Sequence, residues 1–317
     1  MTEELVALRS LKVSVITEGC PNMTGKNVGL LKRMQDKVNE INPEQKLIFL
    51  HCIIHQEVLC KSVLKISHVV DVVTKIVNFI RARALNHRQF VSLLEEQESE
   101  HSDIGYHTAV RWLSLGKVHK RVWVLRGDFH TFCQMKGKDI PEFSDKHWIA
   151  DLAFAIDVTT LMNELNTKLQ GKGPFAHEMF SLVTAFMRKL KFLSSQLKIN
   201  ILTHMPTLIE VTPSADHPKY SSMFAALHDE FSRRFEDFKA VESEMHMISS
   251  PFTVCVDTAP SDIQLELIDL QSDNLLAEVF KSASLLEFYS SLKEENFPHI
   301  TRHAQRMLVL FGSTYLY

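Results

Sequence analysis

The chain has 317 residues, of which 45% are hydrophobic and 23% charged, and its formal net charge is −3. That length can bury one large core or two modest ones, and the composition is that of an ordinary globular protein. No run of about 20 apolar residues exists, which excludes a membrane span, and the slight acidity excludes a nucleic-acid field spread over the whole surface, so any DNA contact must be local. Five scattered cysteines without a paired framework fit a reducing compartment, and the opening Met-Thr-Glu-Glu-Leu lacks the layout of a signal peptide.

Val13 to Thr17 is a short β-branched run stopped by Glu18-Gly19 and Pro21, which reads as a strand and a turn. Thr24-Gly25-Lys26-Asn27 opens a helix whose Val28, Leu31, Met34 and Val38 recur at helical spacing. After Asn42-Pro43, Lys46 to Leu50 is a second strand, and the strand–helix–strand order predicts a parallel pair. Open α/β units present working residues at the carboxyl ends of their strands, and here those ends carry Glu18, Cys52 and His55.

Everything downstream reads as helix. His55 to Leu64 is one segment; Ser67 caps the next, with Val69, Val72, Val73, Ile76, Phe79 and Ile80 on one face; Asn86 caps another. Ser114 is placed as the cap of a helix running through Val118, Val122, Leu125, Phe129 and Phe132. Ser144-Asp145 starts a helix with Trp148, Leu152, Ile156 and Met162 inward, and Pro174 heads one with Met179, Phe186, Leu190 and Leu197. Pro206 to Pro218 is a loop, followed by one amphipathic helix marked by Phe224, Leu227, Phe231, Phe235, Phe238 and Val241, two shorter helices between Asp262 and Phe288, and a last helix from Pro298 to Gly312.

Several blocks carry a resemblance. Thr17-Glu18-Gly19-Cys20-Pro21-Asn22-Met23-Thr24-Gly25-Lys26 and His51-Cys52-Ile53-Ile54-His55-Gln56-Glu57 are followed by Ala84-Leu85-Asn86-His87-Arg88-Gln89-Phe90, Val110-Arg111-Trp112-Leu113-Ser114 and Phe311-Gly312-Ser313-Thr314-Tyr315. In this order they resemble the hAT-type DNA transposases, in their domesticated vertebrate branch. The resemblance implies a mainly α protein holding the remnant of an RNase-H-like α/β core, interrupted by a large all-helical insertion. It divides the chain into a truncated core at 1–85, the insertion at 86–290 and a return to the core at 291–317.

Enzymes of that type cut DNA with two divalent metal ions held by three carboxylates. Glu18 stands where the family motif has its second Asp; one extra methylene moves the carboxylate by roughly 1 Å, and misplacement of that order costs about 100-fold in rate. The resemblance places the first Asp upstream of this chain's strands and the third carboxylate beyond Tyr317. The expectation is therefore a non-catalytic protein whose ancestral divalent-metal site is lost, with no cofactor. Asp71, Asp151, Asp157 and Asp257 are conceivable replacement ligands, but Asp151 and Asp157 are six apart on one helix and do not share a face.

Cys52-x-x-His55 invites a zinc reading because thiolate and imidazole are zinc's preferred ligands. Two ligands do not make a site, and the bland reading, a packed Cys with a hydrogen-bonded His, is favoured. Arg111-Trp112 corresponds to a family motif beside DNA, where an indole can stack on an unpaired base. Lys117, Lys120 and Arg121, with His119 and Arg126, make the surroundings basic. The competing reading is a buried indole beside a solvated face, as for the second basic run, Arg188, Lys189, Lys191 and Lys198. The sequence thus points to a nuclear, or nuclear and cytoplasmic, transposase-derived protein. Its expected partner is DNA; the alternatives are a homodimer or related transposase-derived proteins without DNA contact, or a remnant without selected function.

Overall fold

The computed structural model describes residues 14–25, 27, 29–41, 43, 47–96, 112–171 and 176–312. The protein is mainly helical. Two short strands, β1 (Ser14–Thr17) and β2 (Ile48–His51), enclose helix α1 (Leu30–Ile41). They pair in parallel, with Ser14 opposite Ile48 and Thr17 opposite His51. The Cys52 amide extends the ladder by donating to Thr17 O at 2.8 Å. Helices α2 (Ile53–Cys60), α3 (Ser67–Arg81), α4 (Ala84–Glu96), α5 (Trp112–Val124), α6 (Arg126–Met135) and α7 (Lys146–Leu169) follow. Then come α8 (Ala176–Lys198), α9 (His217–Arg234), α10 (Glu242–Ser249), α11 (Gln264–Ser272), α12 (Asn274–Ser282), α13 (Leu285–Ser291) and α14 (Pro298–Gly312). No helix among the described residues is long and apolar enough to cross a membrane.

Several helix starts differ from those expected. Ser67 is already helical and Ile66 takes the capping place without a side-chain bond. Asn86 lies inside α4, buried, where its Nδ2 donates to Phe79 O at 3.0 Å; it ties two consecutive helices together rather than starting one. Ser114 likewise falls inside α5, and the single helix expected from Val118 to Phe132 breaks at Leu125 into α5 and α6. The Pro206–Pro218 loop winds into a 3₁₀ stretch at Leu208–Ser214. Asp145 does begin α7, its Oδ1 accepting the His147 amide at 2.8 Å.

The contacts divide the chain into two compact units. The first takes the described residues up to Glu57, Leu169–Val183 and everything from Ser232 onward. In it α14 packs beside β1, and the single turn Glu236–Lys239 packs beside β2. Glu266 seats α14 by accepting the His299 and Ile300 amides at 3.0 and 2.8 Å, satisfying donors that a helix start leaves open. Phe252, Phe280 and Phe288 pack ring against ring, and the buried Tyr289 hydroxyl donates to Ile248 O at 2.9 Å.

The second unit comprises Val58–Lys168 and Thr184–Phe231. Its centre is α7, in which every residue from Ala150 to Thr159 is buried. A helix enclosed on all sides must be apolar or have its polar groups satisfied. Phe154 stacks on Tyr220 of α9 at 4.4 Å and meets Phe224 edge-on at 5.3 Å. Phe90, Phe129 and Phe132 form a second ring cluster between α4 and α6.

Candidate nucleic-acid interface

Helix α5 is held in the second unit by an apolar face. Val118, Val122 and Trp123 are buried, as is His119. Gly116 lets the helix approach α7 closely: a Cβ there would stand 2.4 Å from Asn163 Nδ2. With that face fixed, helical periodicity turns Lys117 and Lys120 outward, both exposed, and leaves Arg121 half-buried. The helix contains no acidic residue. Lys117 and Lys120 have no ion pair or hydrogen bond among the described residues. Arg111 lies outside the described residues; Trp112 opens α5, but its side chain lies outside them as well.

The break at Leu125 places Arg126 back over the end of α5. Its Nη1 donates to Trp123 O at 2.7 Å, satisfying a last-turn carbonyl, and its guanidinium lies 4.4 Å from the centre of the Trp123 ring. The stack fixes the fork while leaving its remaining N–H donors without a partner among the described residues. Beside it lies a cleft of about 710 Å³, lined by Lys120, Trp123 and Arg126 on one side and by Ile156, Thr207 and Glu210 on the other; Asp128 also faces it. Two cations and two carboxylates therefore share the cleft, while the charges that α5 itself presents, Lys117, Lys120 and Arg121, are all basic.

Asp157 of α7 holds the far wall. Its carboxylate, 4% exposed, accepts the Thr207 amide at 3.1 Å and the Leu208 amide at 2.9 Å. Burial raises its pKa from the ordinary value, and the hydrogen bonds from Leu208 and Thr207 offset that only in part. Asp151, six residues earlier, is committed elsewhere: it accepts from Lys219 Nζ at 2.6 Å and Tyr220 OH at 2.8 Å and pairs with His68 Nε2 at 2.7 Å. Both carboxylates thus serve packing within the unit, in separate surroundings.

The residues at the strand ends are in the first unit. Glu18 is exposed, and Cys52 and His55 are half-buried. Neighbouring residues do the joining there. Gly19, with φ of +84°, lies so close to the His51 ring that a Cβ would stand 2.6 Å from it. His51 Nδ1 meets Asp237 Oδ2 at 2.5 Å, and Arg234 Nη1 donates to Gln56 Oε1 at 3.0 Å. Among the described residues, no three His, Cys, Asp or Glu side chains are grouped so as to hold a metal ion.

Trp123 belongs to none of the sequence motifs. Its signal was the Arg three residues on, a spacing that brings the two side chains together across a helix end. Thr207 and Glu210, from a loop some eighty residues later, carried no signal at all.

Comparison with known proteins bears on this part of the chain. Residues 51–198 match the FAM200/GTF2IRD2 helical domain. The span runs from the end of β2 to the end of α8 and includes the whole basic face of α5. Over 305 residues, 96% of the chain, it is 37% identical to the general transcription factor II-I repeat domain-containing protein 2 of Mus musculus and to that of Bos taurus. The alignment covers 32% of each relative, so the chain spans about a third of their length. No solved structure gives a significant match.

Proposed function

We propose that this protein is a domesticated, non-catalytic hAT-transposase derivative that acts in the nucleus and binds nucleic acid weakly through α5 and the start of α6. The observation that carries the reading is the exposed pair Lys117 and Lys120 on α5, a helix that has no acid, with the exposed Arg126 at the start of α6; none of the three has an ion pair among the described residues. Unpaired cations along one face release counterions when they meet phosphates, which gives sequence-independent affinity. The net charge of −3 keeps that affinity local and modest. A role in transcription-linked assemblies draws support from the names of the relatives. The reading as non-catalytic draws on Glu18, which is longer than the Asp of the family motif and stands exposed at the strand end. The strand–helix–strand start, with α14 beside β1, supports an RNase-H-like ancestry for the first unit.

The test is a gel-shift or fluorescence titration with hairpin and single-stranded DNA over a range of salt. Binding should weaken as salt rises, and changing Lys117 and Lys120 to Glu together should lower the salt slope by about one per lost phosphate contact. Trp112→Ala should weaken binding by about 1–3 kcal/mol if the indole stacks on a base. Salt-insensitive binding, or none at low salt, defeats the reading. Metal-dependent nicking that vanishes in Glu18→Ala defeats its non-catalytic part.

A further inference from the structure

The second basic run in the chain forms a different surface from that of α5. Between residues 184 and 198, α8 carries Arg188, Lys189, Lys191 and Lys198 and no acid. All four are exposed, and none has an ion pair or hydrogen bond among the described residues. Along the middle of this face runs an outward stripe, Ala185, Arg188, Phe192, Ser195 and Ile199, spaced by three and four residues. Phe192 is 48% exposed and Ile199 63%. The stripe continues past the helix end, where Asn200 (φ +59°) turns the chain and Ile201 stands 39% exposed. A solvated basic helix face does not ordinarily carry large apolar residues down its centre.

The chain carries the complementary surface as well. In the first unit, α11 exposes Leu265 (77%) and Ile268 (47%) with Asp269, and α12 exposes Leu275 (79%) and Val279 (39%) with Glu278. On each helix these residues share one outward face by their spacing of three and four. The exposed acids of residues 264–282 are Asp269 and Glu278, against a single Lys281; Glu266 is committed to the start of α14 and Asp273 caps α12. Glu278 pairs with Lys281 at 2.7 Å, but both are about 70% exposed, so the pair can exchange partners at little cost. No residue of α12 is buried within its own chain.

We propose that these are two halves of one contact: the basic, apolar-centred face of α8 in one copy docks on the acidic, apolar-centred faces of α11 and α12 in a second copy. The aliphatic residues decide for a protein over a nucleic acid, since a phosphate backbone offers nothing to cover Ile199, Leu265 or Leu275. The opposite charges decide for a second copy of this chain, because each surface meets on the other the sign it lacks. The contact uses none of the α5 residues of the proposed nucleic-acid face.

Sedimentation velocity of the whole chain without nucleic acid, at low and high salt, tests it. The expected result is concentration-dependent association that weakens with salt. Reversal of Lys189, Lys191 and Lys198 to Glu should raise the dissociation constant at least about tenfold, since like charges then face each other. Asp269→Lys with Glu278→Lys should do the same, and the two sets combined should restore association. Phe192→Ser should weaken it without changing the salt dependence. Circular dichroism confirms that each variant is folded, which the exposure of all these sites favours. A chain that stays monomeric at all concentrations overturns the proposal. So does association that neither reversal weakens, or that the combined variant fails to restore. Nucleic-acid binding in the α8 variant should equal that of the unmodified chain, so the proposal and the α5 reading fail separately.

Discussion

Both units contain histidine–aspartate pairs, and two of these, one from each unit, differ in everything but chemistry. In the second unit His68 meets an Asp151 whose side chain is 12% exposed and also bonded to Lys219 and Tyr220. In the first, His51 meets an Asp237 whose side chain is 43% exposed, with no other bond to the carboxylate among the described residues. Asp151 sits on a helix enclosed on all sides, so its carboxylate had to be fully satisfied there. Asp237 sits on a single turn beside a strand four residues long, where water can do the same work. The lesson concerns these two pairs: the one in the second unit is locked among buried polar groups, and the one in the first is tied at the surface. The first unit's parallel strand pair has only four residues in each strand, and so short a pair is marginal without the helices beside it.

The comparison breaks most visibly at the α7 core. Phe154→Ala removes a ring stacked on Tyr220 and should cost about 3–5 kcal/mol in a denaturant titration. A loss under about 1 kcal/mol would mean that α7 is not the centre of the second unit. Next in size, Asp151→Ala should cost about 2–4 kcal/mol, because it leaves Lys219 and the Tyr220 hydroxyl without their acceptor.

The same group sets a pH dependence. Burial alone would raise the Asp151 pKa, but hydrogen bonds from Lys219, Tyr220 and His68 outweigh it and hold it below the ordinary 3.8. With the folded value below the unfolded one, the stabilisation is complete above the unfolded value and is lost as pH falls through the folded value. Stability measured downward from pH 5 should therefore drop more steeply in the unmodified chain than in Asp151→Asn. Parallel curves would show that the carboxylate charge does not matter.

A smaller effect is expected at Gly116. Its Cβ would press on Asn163 of the enclosed helix, so Gly116→Ala should cost about 1–3 kcal/mol. The Asn163→Ala background should recover much of that loss, and no recovery would locate the strain elsewhere. Smallest of all, His51→Ala should cost only about 0–1 kcal/mol through its exposed pair. A cost as large as that of Asp151→Ala would erase the distinction between the two units.

What the sequence determined by itself was whatever local periodicity encodes. Helical spacing in Val118, Val122, Leu152, Ile156, Phe186 and Leu190 gave the mainly helical character and the inward faces, because a side chain's direction follows from its place in the turn. The β-branched runs flanked by Glu18-Gly19 and Asn42-Pro43 gave the parallel pair. The cations of α5 were legible as charges in a run without acids. Where helices begin was less so: Ser67, Asn86 and Ser114 are competent caps that fall inside their helices, and Asn86 instead donates to Phe79 O. What occupies each carboxylate was decided only by tertiary structure. Asp151 and Asp157 look alike in sequence, yet one is met by Lys219 and Tyr220 and the other by the Thr207 and Leu208 amides, partners more than fifty residues away or close to it. The guanidinium of Arg126 lies on Trp123 because the helix breaks at Leu125, which no spacing announced. The neighbours of the two strands, α14 and the turn at Glu236–Lys239, come from the far end of the chain. Contacts at such separation are fixed by which buried surfaces fit together, and that information is spread over the whole chain and written in no single stretch of it.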